Sequence, residues 1–132
     1  MNQVLEHIRN LDGLFSECHR VLRPRGDLIL ATPNLASWHN ILALMLGQQA
    51  FSQSISARFY LGNRFARYYG KPLAYDFPQH CHILTVRGIR DLLTRYRFQL
   101  LKLAGVSLMP LSFFDRLDRT HAHYLIAWAQ RQ

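Results

Sequence analysis

Apolar residues at Leu11, Leu14, Phe15, Cys18, Val21 and Leu22 recur at three- and four-residue spacing, with Glu17, His19 and Arg20 between them. That pattern is one face of an amphipathic helix over 11–22. Pro24 cannot continue a helix and disfavours helical geometry at Arg23, so the helix stops there. Gly26 is expected to supply the freedom for a reversal. Leu28–Ala31 is an unbroken apolar run, which predicts a strand over 27–32 covered on both faces. Pro33 ends that strand, and Asn34 follows where an open α/β sheet builds its ligand crevice. Ser37 is a candidate N-cap for a second helix through Trp38, Ile41, Leu42, Met45 and Leu46, closed by Gly47.

The pattern then dissolves. Residues 48–79 mix polar residues and aromatics without a clear period, and read as an insertion or lid with one or two short helices lying over a site. Periodicity returns at Thr85, an N-cap for a helix burying Val86, Ile89, Leu92, Leu93 and Tyr96. Phe98–Val106 alternates only partly, as a strand near a sheet edge would. Met109–Asp118 reads as a connection, and His123–Ala129 as an interior strand. A last strand more buried than its predecessor is expected to insert between the two earlier strands. It would then pair antiparallel with the strand before it. The fold class is α/β.

The length of 132 residues suits one domain, and two cysteines make no disulfide framework, so a cytoplasmic setting is expected. The start of the chain carries neither a basic region nor an apolar signal core. Ile41–Leu46, the most apolar helical stretch, is far shorter than the roughly 20 residues of a membrane span. The formal net charge of +8 comes from fourteen Arg and two Lys against eight acids. Such a balance favours anionic partners, yet the arginines are scattered as on a solvated surface.

Three constellations could carry chemistry. His80-Cys81-His82 would put two imidazoles on one face of a strand, but no second ligand pair has zinc-site spacing, so no metal is expected there. A polar contact to a substrate fits His80 and His82 better, because the insertion ending there should border a pocket. Arg58 to Lys71 interleaves basic residues with Phe59, Tyr60, Phe65, Tyr68 and Tyr69. That pattern could stack bases, touch an apolar substrate or a membrane surface, or simply be a solvated surface. No nucleic-acid-binding fold is recognisable, so nucleic acid is not favoured. His121 and His123 are expected at the surface, and Trp128 in the core.

Taken together, the segments resemble the C-terminal half of the class I S-adenosylmethionine-dependent methyltransferases, of the small-molecule type. Val4-Leu5-Glu6-His7-Ile8 resembles the segment after that family's fourth strand. Leu11–Leu22 with Arg23-Pro24-Arg25-Gly26-Asp27 resembles its next helix and "LRPGG" turn, Arg25 standing for the first glycine. Leu28–Asn34 resembles its fifth strand and "TPN" exit, and His82–Leu93 its "H-x-x-x-T-x-x-x-L-x-x-L-L" helix, with one residue fewer between His82 and Thr85. The resemblance implies a partial Rossmann-like sheet made of the family's last three strands. It implies S-adenosylmethionine as cofactor, with Val4, Leu5 and Glu6 near it, and His7 as a base beside the methyl acceptor. Asn34, Trp38, His80 and His82 are the candidate substrate contacts. Some members hold a divalent metal with Glu-x-x-Glu-His; here Gln3 occupies the first position, so no metal is expected. The family's Gly-rich cofactor loop has no counterpart, since the chain contains no G-x-G. The expectation is a single truncated domain over 1–132 that acts on a small molecule only when completed. It would assemble with an N-terminal half, or with itself, through the exposed edge of the Leu28–Ala31 strand. The alternative is a non-catalytic basic remnant that binds a partner protein or an anionic surface.

Overall fold

A computed structural model describes residues 1–73, 80–107 and 118–132. The first helix, α1 (Leu11–Val21), begins where Asn10 accepts a hydrogen bond from the Gly13 N–H at 2.9 Å. This side-chain cap satisfies one of the free donors of the first turn. The helix ends at Leu22, which is extended ahead of Pro24. The reversal that follows is made by Arg25, at φ 61°, and not by Gly26. Gly26 serves a different need, because a Cβ there would lie 2.8 Å from the Arg23 carbonyl oxygen.

Strand β1 (Asp27–Pro33) leads into helix α2 (Trp38–Met45), and helix α3 (Val86–Arg95) into strand β2 (Phe98–Val106). Thr85 caps α3 by accepting the Gly88 N–H at 3.2 Å. The final strand, β3 (Tyr124–Arg131), lies between β1 and β2 and is antiparallel to both. The expected insertion and the expected edge position of β2 are therefore both present. The β2 edge carries an irregularity between Leu100 and Lys102.

The other side of β1 is not a bare edge. Residues Met1–Gln3 run parallel to it: the Gln3 N–H donates to Ala31 O and the Ala31 N–H to Met1 O, each at 2.9 Å. The chain supplies its own short neighbour to the strand.

The core forms on one face of this sheet. Leu28 and Leu30 of β1, with Leu125, Ala127 and Ala129 of β3, meet Phe15 of α1 and Ile89 and Leu93 of α3. Leu5 and Phe98 complete it. A strand turns alternate residues to opposite faces, so Ile29 and its cross-strand partner Trp128 point the other way. Both are exposed, Ile29 at 57%. This corrects two expectations: β1 is covered on one face only, and Trp128 lies outside the core. An unbroken apolar run does not say how many faces are covered, and α1 and α3 pack on the same side.

Helix α2 follows Ser37, whose side chain, contrary to expectation, makes no capping hydrogen bond, and it closes near Gly47, at φ 68°. Its burial is reversed. Asn40 and Ala43 face inward, whereas Trp38, Leu42, Leu44, Met45 and Leu46 face outward. Asn40 repays its burial by donating to Asn34 O and Ser52 Oγ, both at 3.0 Å.

Residues 48–73 form turns and one bridge, Phe59 with Pro72, and no helix. The expected short helices are absent from these described residues. Gly62 and Gly70 take left-handed backbone, and the Asn63 side chain accepts the Phe65 N–H, a local alternative to a helical bond. The connection expected over 109–118 lies almost wholly outside the described residues. No helix among those described is long and apolar enough to cross a membrane.

Candidate functional site

A cleft of about 380 Å³ opens at the carboxyl ends of Met1–Gln3 and β1. In an open α/β sheet this is where ligands bind, because the loops leaving parallel strands diverge there. The cleft is lined by Gln3 and Pro33 from those strand ends, by His123 and Tyr124 at the start of β3, and by His39, Phe51, Ser52 and His80. The segment read as a lid thus contributes Phe51 and Ser52.

Two histidine pairs flank this cleft. His39, from the first turn of α2, stacks on His123 with ring centroids 4.2 Å apart and an interplanar angle of 18°. Burial, and then the neighbouring His123, hold the His39 imidazole down to about 4. Burial also lowers His123. Both rings are therefore neutral at pH 7 and can hydrogen-bond without carrying charge. The second pair is His7 and His80, with centroids 4.9 Å apart. His80 Nδ1 lies 2.6 Å from the Ser52 carbonyl oxygen, which holds the ring in place.

Glu6 lies beneath the second pair. It is fully buried in the short 3-10 turn Leu5–His7, and Thr32 Oγ1 donates to its Oε2 at 3.2 Å. Its Oε1 is buried with no hydrogen-bond partner among the described residues. Glu6, His7 and His80 each bring one ligand atom within 4.8 Å of the others. A carboxylate with two imidazoles suits a borderline divalent cation, and an orphaned buried oxygen fits such a role. The sequence did not pair His80 with Glu6 and His7, because they are separated by more than seventy residues. The Cys81 N–H donating to Glu6 O at 2.6 Å is what brings them together.

The other expected site residues fall in different places. Leu5 is a core residue, and Val4 is half-buried beside it. Asn34 is fully buried and its amide is spent: Nδ2 donates to Thr120 O and Ala122 O at 2.8 Å, and Oδ1 accepts the Ala36 N–H. It latches the start of β3 to the end of β1 and does not line the cleft. Trp38 is exposed, its Nε1 donating to Asp118 Oδ2 at 3.0 Å and its ring against His121. His82 turns away from His80, with Nε2 3.0 Å from Arg9 O. The two imidazoles of His80-Cys81-His82 thus do not share a face, since residues 80–83 are not a strand. His123, expected at the surface, is half-buried in the cleft wall.

The sequence holds no G-x-G loop, and Leu5 is committed to the core.

A family profile described as a methyltransferase domain matches residues 1–103. The fold resembles a Listeria monocytogenes protein described as a candidate S-adenosylmethionine-dependent methyltransferase, with a TM-score of 0.55 and 14% identity. It also resembles an S-adenosylmethionine-dependent methyltransferase from Mesorhizobium loti, with a TM-score of 0.54 and 15% identity. These likenesses cover 99% and 98% of this chain and 59% of each of those chains. No curated relative matches in sequence.

Proposed function

The chain belongs to the methyltransferase domain family, and from that premise we propose that it forms the carboxyl-terminal part of an enzyme methylating an oxygen of a small molecule. The carrying observation is the placement of His7. It ends the short turn Leu5–His7 that follows the bridged segment Met1–Gln3, and its ring packs against His80, which lines a cleft of small-molecule size. There an imidazole can accept the proton of an acceptor hydroxyl as its oxygen becomes nucleophilic. His39 and His123, held neutral, would orient the acceptor without attracting ions, and Phe51 and Tyr124 would exclude water from it. S-adenosylmethionine would supply the electrophilic methyl group in the completed enzyme. The isolated chain is inactive in this reading, because the glycine-rich half of the cofactor site lies on another segment.

Calorimetric titration of this chain with S-adenosylmethionine tests that division. No heat of binding is expected at micromolar cofactor, and clear micromolar affinity would overturn it. In a form competent for methyl transfer, His7→Ala should lower kcat by about 10²-fold or more. An unchanged kcat in that variant would remove His7 from the reaction.

One observation, the orphaned Glu6 Oε1, favours a second reading in which Glu6, His7 and His80 hold a divalent cation. Such an ion would supply Lewis acidity to the acceptor oxygen. Titration with Zn²⁺ should then show binding that His80→Ala weakens by about tenfold or more. Equal affinity in the variant would refute it.

A further inference from the structure

The outward face of α2 and the turns that follow it form a surface of unusual composition. From Leu28 to Leu73 there is no Asp or Glu, while Arg58, Arg64, Arg67 and Lys71 are all present. Over the same span large apolar side chains stand in solvent, with Met45 at 79% and Phe65 at 63% exposure. The helix contributes Leu42, Met45 and Leu46 to this surface, and the turns contribute Leu61, Phe65 and Tyr69. The two parts are tied together. Gln48 Oε1 accepts the Arg64 N–H at 3.0 Å, the Gln49 N–H donates to Gly62 O at 2.8 Å, and Asn63 Nδ2 donates to Gln49 O. Gly62 permits this closeness, since a Cβ there would lie 2.8 Å from Gln49 Cβ. Arg67 and Lys71 flank the Tyr68 ring, at 5.4 and 6.0 Å from its centroid.

We propose that this surface docks the protein onto an anionic lipid bilayer. Each feature fits that occupant. Exposed aliphatic and aromatic side chains gain by entering the boundary between headgroups and acyl chains, and adjacent cations gain from anionic headgroups. A second copy of the chain fits poorly, because it would bring four like charges against four. Nucleic acid accounts for less of this surface: Phe65 and Tyr69 could stack a base, but exposed Leu42, Met45, Leu46 and Leu61 have no flat face to do so and would gain nothing from it. The orientation is useful: Phe51, in the same segment, lines the cleft, so a docked chain would hold its cleft close to the lipid surface. The inference goes beyond methyl transfer and stands or falls without it.

Sedimentation of the chain with vesicles tests the proposal. Vesicles with about 30% phosphatidylglycerol should bind it at least about tenfold more strongly than pure phosphatidylcholine vesicles. High salt should weaken that binding. Arg64→Gln and Arg67→Gln should each weaken it about fivefold. Met45→Ser and Phe65→Ser should weaken it also, and all four are exposed substitutions whose folding circular dichroism will verify. Arg87→Gln and Arg90→Gln on α3 are controls that should change binding less than about twofold. Equal effects of the control and surface variants would overturn the proposal, because they would indicate attraction by net charge alone. It is overturned equally by no vesicle binding combined with oligonucleotide binding that Arg64→Gln and Arg67→Gln reduce. A dimer that Met45→Ser and Phe65→Ser dissolve, without vesicle binding, would assign the surface to self-association instead.

Discussion

At the scale of single residues, Arg25 and His39 show where side-chain identity and backbone or burial disagree. Arg25 occupies a left-handed conformation that costs an L-residue about 1–2 kcal/mol. Glycine avoids that cost but loses about 0.5–1 kcal/mol through its freer unfolded chain. Arg25→Gly should therefore raise stability by about 0.5–1 kcal/mol in urea unfolding, and a loss of stability would mean that the Arg25 side chain makes a compensating contact. The sequence pointed to this turn through Pro24 and Gly26, but it could not say which residue takes the positive φ. His39 carries the opposite lesson. Its imidazole is held down to about 4 by burial and then by His123, against an ordinary value of 6.5. Between those values the unfolded chain binds more protons than the folded one, so stability falls as pH falls from about 6.5 toward 4. His123, also lowered by burial, acts with the same sign. Allowing for solvent around a half-exposed ring, the His39 part is roughly 1 kcal/mol. His39→Phe should flatten the pH dependence of unfolding over that window, and an unchanged slope would show that His39 is not its source.

At the scale of elements, helix ends were legible and helix faces were not always so. Thr85 was identifiable as a cap from its place before an apolar period, and Thr85→Ala should cost about 1 kcal/mol in thermal or urea unfolding. Helix α2 defeats the same logic. Its leucines have helical spacing, yet the residues it buries are Asn40 and Ala43. The reason is long-range: Asn40 reaches Asn34 O on one side and Ser52 on the other, contacts that no local pattern announces. Two substitutions on one helix separate these faces. Asn40→Ala leaves buried groups unpaired and should cost about 1–3 kcal/mol. Leu44→Ala, on the exposed face, should change stability by no more than about 0.5 kcal/mol. A larger loss at Leu44 than at Asn40 would place the helix the other way round. The cleft shares this opacity. His39 and His123 meet only because β3 pairs with β1 in the register that sets Tyr124 opposite Pro33, and nothing near either histidine encodes that register.

At the scale of the whole molecule, the order β1-β3-β2 followed from comparing how apolar the strands are, because a central strand must be apolar along its length. The inference of two covered faces failed because apolar content cannot reveal how many helices pack on each side. The described helices α1 and α3 bury Leu28, Leu30, Leu125 and Ala127, leaving the cross-strand pair Ile29 and Trp128 open. The edge of β1, expected to attract a partner, is partly occupied by Met1–Gln3. The open face is therefore the stronger candidate for association than the edge, since a sheet face without cover leaves apolar area in water. Sedimentation should show self-association that rises with protein concentration. Ile29→Lys should suppress it while leaving unfolding stability within about 0.5 kcal/mol, because Ile29 makes no part of the core. A chain that stays monomeric at high concentration would rule out this face as a self-interface. If Ile29→Lys leaves association intact, the contact must lie elsewhere on the molecule.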